Sequence, residues 1–150
     1  PNLPNTQAVR LYPSLGLFEG TRVNAGRGTS FQFQCFGAPF LSGSYFDFSY
    51  TPEPKPGASN PKHKGALCHG RDLREVTPPD SVRLSWLLEA YRNREPGSEF
   101  FNTSGFTRHA GTALLQKQIE EGWEESQIRE AWKKPLEDFR KIRAKYLRYD

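Results

Sequence analysis

The chain contains no methionine at all, not even at position 1, and no apolar run that approaches the roughly 20 residues needed to cross a bilayer. The first absence is read as the mark of a piece of a longer polypeptide. For that reason the lack of signal-peptide character in the opening residues carries no information about export. Cysteine is scarce, with two residues. Cys35 and Cys68 are too few and too far apart for a paired-cysteine zinc site. Cys68 with His63 and His69 offers three clustered side chains and no fourth, so no metal and no cofactor is expected. The two thiols form either one disulfide or a pair of buried free cysteines.

What is present points to a folded unit. The 150 residues and 17.1 kDa fit one domain able to bury its own core. Eleven Phe, six Tyr and three Trp are too many for a disordered chain, despite a mean hydropathy of -0.75. The formal charge is +4 and the pI about 9.2, but the excess is dispersed: eight basic against five acidic residues up to Glu75, thirteen against twelve after it. The densest basic cluster, Arg140, Lys141, Arg143, Lys145 and Arg148, ends a helical segment whose start carries Glu137 and Asp138, the order the helix dipole favours. It is read as a solvated face, and nucleic acid is not expected as a partner.

The first half reads as strands and loops. Alternation over Ser30–Phe36 predicts a half-buried strand with Phe31, Phe33 and Cys35 on one face. A second strand is expected in Tyr45–Tyr50 and a third within Cys68–Val76. Between them TPEPKPGASNPKHKG, with Pro52, Pro54, Pro56 and Pro61, must be extended loop. In the second half Asp80 is placed as the cap of a helix with Leu84, Leu87, Leu88 and Tyr91 inward. Residues 92–104 interrupt it. Thr112 caps a second helix with Leu115, Gln118 and Ile119 inward and Gly122 as its stop. A third carries Ile128 and Trp132, and Pro135 opens a fourth with Leu136, Phe139, Ile142 and Tyr146 as its buried side. The expected fold class is α+β: a small mixed or antiparallel sheet from the first half packed with about four helices from the second.

The segment Leu11–Phe40 holds the strongest functional signal. Glu19-Gly20-Thr21 and Arg27-Gly28-Thr29 repeat a charged residue, a glycine and a threonine, a combination suited to tight turns that present a charge. Glu19 either serves chemistry or accepts bonds from its own loop, including one from Arg27. Thr21 and Thr29 either bond a ligand hydroxyl or cap their turns. Tyr12, Phe33 and Tyr50 either stack on a ligand or fill the core.

In order along the chain, Leu11-Tyr12-Pro13-Ser14, Leu17-Phe18-Glu19-Gly20-Thr21, Gly26-Arg27-Gly28-Thr29, Phe33-Gln34, Gly37-Ala38-Pro39, Phe48 to Pro52, Pro56-Gly57-Ala58, Gly65 and Cys68 continue to Asp72-Leu73, Ala110-Gly111-Thr112, Gln118-Ile119, Trp132 and Lys145-Tyr146-Leu147. This set resembles the C-terminal part of the exo-β-N-acetylmuramidase family, the NamZ-like glycoside hydrolases once known only as a domain of unknown function, in its Bacteroides-type form. Cys35 departs from the aliphatic residue usual there, and Thr107-Arg108-His109 from the usual acidic or lysine residue with leucine.

The resemblance implies an enzyme that releases N-acetylmuramic acid from the non-reducing end of peptidoglycan fragments, outside the cytoplasm. It further implies that residues 1–150 form one cleft-building domain, inactive alone, and that a larger Rossmann-like domain with the principal catalytic glutamate precedes it. On that reading Glu19 is an auxiliary catalytic residue. Arg27, Thr21, Thr29, Gly20, Gly28 and Tyr12 bind substrate, with Arg27 gripping the lactyl carboxylate of muramic acid. The partners are then a muramic-acid-containing glycan and the preceding domain. Two other readings are a purely structural buttress of that domain and a stand-alone anionic-glycan or nucleic-acid binding module.

Overall fold

Three short strands, β1 (Cys35–Ala38), β2 (Phe48–Tyr50) and β3 (Cys68–Asp72), form one antiparallel sheet in the order β1-β3-β2 in the computed structural model, which describes residues 3–148. Cys35 lies opposite Asp72 across β1 and β3, and Tyr50 opposite Cys68 across β2 and β3. The Pro-rich segment between β2 and β3 is loop, as its prolines require. Five α-helices accompany the sheet among the described residues: α1 (Thr6–Leu15), α2 (Ser85–Arg92), α3 (Thr103–Ala110), α4 (Leu114–Glu120) and α5 (Glu125–Ala144). Four of them come from the second half, and the class is α+β.

Several boundaries differ from the sequence reading. The first half opens with a helix: Asn5 accepts the Ala8 N–H at 2.9 Å, and Ala8, Leu11 and Leu15 recur on one buried face. A single 3₁₀ turn, Gly16–Gly20, follows directly. The strand expected from Ser30 starts only at Cys35. Phe33 takes a positive φ of 55° while its N–H reaches back to the Ala25 carbonyl, so the chain loops where simple alternation suggests extension. Asp80 caps nothing. Its exposed carboxylate lies 3.8 Å from Arg10, and α2 begins later, where the Glu125 carboxylate accepts the Leu84 N–H at 3.2 Å. The interruption after α2 ends in α3, capped by Asn102.

The cap position of α4 is Ala113, not Thr112, which stands one residue earlier and accepts the Leu114 N–H at 3.1 Å; Gly122 follows the helix with a φ of 80°. The third and fourth expected helices are one, α5, with Pro135 inside it. Its apolar stripe is the largest departure from expectation. Ile128 is buried, but Leu136, Phe139, Ile142 and Tyr146 are 48–78% exposed.

The core joins both halves. Phe18 of the 3₁₀ turn stacks on Phe36 of β1 at 4.8 Å, and Phe101 meets Phe106 of α3 edge-on at 4.7 Å. Gly20 lies so close to α3 that a Cβ there would meet the Phe106 Cα at 2.4 Å. The turn that carries Glu19 is thus seated directly on a helix from the far end of the sequence.

Candidate substrate-facing site

The two charged tripeptides come together in space. Helix α1 delivers the 3₁₀ turn and Glu19, and a second turn over Gly26–Thr29 delivers Arg27. The Arg27 Nε donates to Glu19 Oε1 at 3.1 Å and Oε2 at 3.2 Å, with both side chains partly exposed. The guanidinium carbon lies 4.9 Å from the centre of the Phe33 ring, which also makes a T-shaped contact with Tyr12, their centroids 4.9 Å apart. Glu19, Arg27, Phe33 and Tyr12 therefore form one line: Phe33 is the buried floor, and Tyr12 is an exposed rim 43% open to solvent.

The remaining residues of the tripeptides face inward. The Thr21 hydroxyl donates to the Phe18 carbonyl at 2.9 Å and accepts the Val23 N–H at 3.0 Å. The Thr29 hydroxyl donates to the Gly26 carbonyl at 2.7 Å and accepts the Phe31 N–H at 3.1 Å. Both threonines are buried and cap their own turns. Gly20 is packed on α3. Gly28 has a φ of 85° and sits against the Pro-rich loop, where a Cβ would meet Pro61 Cγ at 2.7 Å and the Glu53 carbonyl at 2.8 Å. These four residues shape the site from beneath, and Tyr50 is likewise interior, its hydroxyl bonded to the Asn24 carbonyl at 3.1 Å.

A residue absent from the sequence reading holds the arrangement. Lys62, in the Pro-rich loop, drives its ammonium into the turn and donates to the carbonyls of Phe18, Val23 and Glu19 at 2.9, 3.1 and 3.3 Å. Burial lowers its pKa below the usual lysine value, while the Glu19 carboxylate pulls the other way. Asn24 ties the same elements, its amide donating to the Lys62 carbonyl at 2.8 Å and the Arg27 carbonyl at 3.1 Å. His63 adds a 2.6 Å bond between Nε2 and the Arg22 carbonyl. The only local hint in the sequence is that a loop of this length and stiffness must lie against something.

Chemically, the site offers one carboxylate already engaged by a guanidinium. Arg27 spends Nε on Glu19, and its two terminal nitrogens have no protein acceptor among the described residues. They are the donors a second carboxylate would need for a bidentate grip. Asp72, at the end of β3, is bonded to Arg74 at 2.9 and 3.0 Å, and that bond holds its carboxyl below the usual range. Elsewhere, a polar pocket of about 410 Å³ lined by residues that include Tyr45, Arg71, Glu89, Arg92 and Glu124 has these carboxylates tied as well: Arg71 and Tyr45 hold Glu89, and Arg92 holds Glu124. No cluster of three or more His, Cys, Asp or Glu suited to a metal occurs among the described residues, and no helix of theirs is long and apolar enough to cross a membrane.

The α+β architecture is similar to that in a crystal structure of a DUF1343 family protein from Bacteroides fragilis, which matches with a TM-score of 0.90 at 40% identity over 100% of this chain and 43% of that one. The peptidoglycan beta-N-acetylmuramidase NamZ of Bacillus subtilis is 33% identical over 163 aligned residues, covering 99% of this chain and 39% of that protein. The pattern described as exo-beta-N-acetylmuramidase NamZ, C-terminal, matches residues 10–149, and the chain belongs to that family. It spans about two fifths of the length of these relatives.

Proposed function

We propose that this chain is the C-terminal domain of a peptidoglycan-processing glycoside hydrolase that acts outside the cytoplasm and releases N-acetylmuramic acid from the non-reducing end of muropeptide or glycan fragments. In this reading Glu19, Arg27 and Tyr12 line one wall of a cleft whose other wall, with the principal catalytic glutamate, belongs to a larger preceding domain. Cleaving a glycosidic bond takes two carboxylates. Glu19 supplies at most one, so the domain positions substrate and does not complete the reaction alone.

The observation that carries the reading is the half-used guanidinium. Arg27 is fixed through Nε by Glu19 and braced over Phe33, with its outer nitrogens left for a ligand. Muramic acid differs from N-acetylglucosamine by a lactyl carboxylate, the group such a fork recognises. The test is Arg27→Ala in the longer protein. A lost charge-assisted bond of about 1.5–3 kcal/mol lowers kcat/KM on a muramic-acid substrate roughly 10- to 100-fold. The matching N-acetylglucosaminide, without the carboxylate, is expected to lose nothing. An equal loss on both, or none on either, overturns the assignment.

The mutual pairing of Glu19 with Arg27 supports one competing reading, in which the loops only buttress the neighbouring domain. Titrating the isolated chain with a muramyl ligand separates the two: amide shifts confined to Glu19–Thr29 support the cleft wall, and unchanged spectra support the buttress.

A further inference from the structure

Helix α5 is anchored by its first two turns and bare beyond them. Ile128 is fully buried, Trp132 packs against the core, and Glu125 accepts both the Leu84 N–H and Arg129. From Lys133 onward every described residue except the half-buried Asp138 is exposed. That length carries Leu136, Phe139, Ile142 and Tyr146 at 48, 57, 54 and 78% exposure. Spacings of three and four residues put them on the line that Ile128 and Trp132 begin, so the face that seats the helix continues unbroken past the edge of the domain. Twelve residues at 1.5 Å each make the bare stretch of helix, Lys133 to Ala144, about 18 Å long.

We propose that this face docks on the N-terminal portion of the same polypeptide, as a fixed strut between the two parts. The inference rests on reading the chain as the C-terminal part of a longer protein. Three observations select the occupant. The family pattern is that of a C-terminal region, and this chain covers only 39% and 43% of the relatives' lengths, so in them more than half of the polypeptide lies outside the matched region. Next, residues 133–148 hold seven basic and two acidic side chains. Lys133, Lys134 and Lys141 pair with Glu130 and Asp138, leaving Arg140, Arg143, Lys145 and Arg148 without an acidic partner among the described residues. A second copy of the helix would set like charge against like charge, whereas an apolar groove rimmed by carboxylates complements the stripe. Finally, the stripe continues a core-facing line, as expected of a helix shared between two packed bodies.

The experiment compares backbone hydrogen exchange over residues 133–148 in the 150-residue chain and in the longer protein. Docking slows exchange there at least about tenfold in the longer protein. Phe139→Asp combined with Ile142→Asp restores fast exchange in the longer protein and leaves the melting temperature of the 150-residue chain unchanged, because both sites are already exposed in it. Equal exchange in the two proteins overturns the proposal. So does a concentration-dependent dimer of the 150-residue chain that the double variant abolishes, or protection that arises only on adding vesicles containing anionic lipid. Muramic acid release, assayed on the same protein, reports on the proposed function separately: protection without release leaves the docking intact and removes the muramidase reading, and the reverse removes the docking alone.

Discussion

At the scale of single residues, the site separates groups that build from groups that present. Gly20 builds. Its missing Cβ is what lets the 3₁₀ turn rest on the Phe106 backbone, and Gly20→Ala must displace one or the other. Overpacking of this kind costs about 3 kcal/mol, a fall of roughly 10 °C in the melting temperature of the chain, measurable by calorimetry. Glu19 presents. Its bond to Arg27 is partly exposed and worth about 1 kcal/mol or less, so Glu19→Gln is expected to leave thermal stability nearly unchanged. A large stability loss in Glu19→Gln would place the pair among the structural ties instead. The tripeptides were legible as paired turns because glycine and threonine have a narrow set of uses beside a charge. Whether their threonines cap the turns or meet a ligand stayed open in the sequence, because a hydroxyl serves a turn and a ligand equally well.

Among elements, what the sequence disclosed and withheld follows from the kind of signal each one carries. Helices α2 and α4 announce themselves by apolar residues three and four apart. Helix α1 hides behind Pro13 and the glycines after it, and the β1 strand is shorter than its alternation because Phe33 turns left-handed. Periodicity identifies an apolar face without naming what covers it, which is why the second half of α5 was expected to be buried and is bare. Lys62 shows the same limit for a loop: nothing local marks a lysine whose ammonium will be satisfied by three distant carbonyls. Lys62→Met leaves the Val23 and Glu19 carbonyls short of this donor, while the Phe18 carbonyl keeps its bonds from Thr21, and is expected to cost about 2 kcal/mol in chemical denaturation. The adjacent His63 makes this loop sensitive to pH. Burial lowers its pKa below the usual 6.5, so just below that value the unfolded chain binds more protons than the folded one. Stability therefore falls as pH drops from about 6.5 through the folded-state pKa and then levels, with the loss from Asp72 confined to still more acid conditions below 3.8. In His63→Gln the first of these slopes is expected to vanish from a series of denaturation curves. A slope unchanged by the substitution would assign it to other groups.

For the molecule as a whole, the two cysteines give a direct reading of how cooperatively it holds together. They are free, fully buried and gathered with Tyr50 beneath the half-buried Phe31 and Phe48, so the choice between a disulfide and two interior thiols is decided for the thiols. Burial pushes Cys68 up to about 12 and Cys35 higher still. Such thiols stay protonated near neutral pH, and because both are fully buried no reagent reaches them without an opening of the sheet. The sheet is tied to the rest of the chain: β1 to the 3₁₀ turn through Phe36 and Phe18, that turn to α3 through Gly20, and β3 to α2 through Arg71 and Glu89. Exposing either cysteine should then require opening nearly everything. With a stability in the ordinary range, alkylation by iodoacetamide in native buffer is expected to run at least about 10³-fold slower than in concentrated guanidinium, with both thiols modified together. If Cys68 reacts well ahead of Cys35, the β2 edge and its Pro-rich loop open as a separate unit. The loop that carries Lys62 would then move independently of the turns it pins, and the rigid presentation of Arg27 would fail with it.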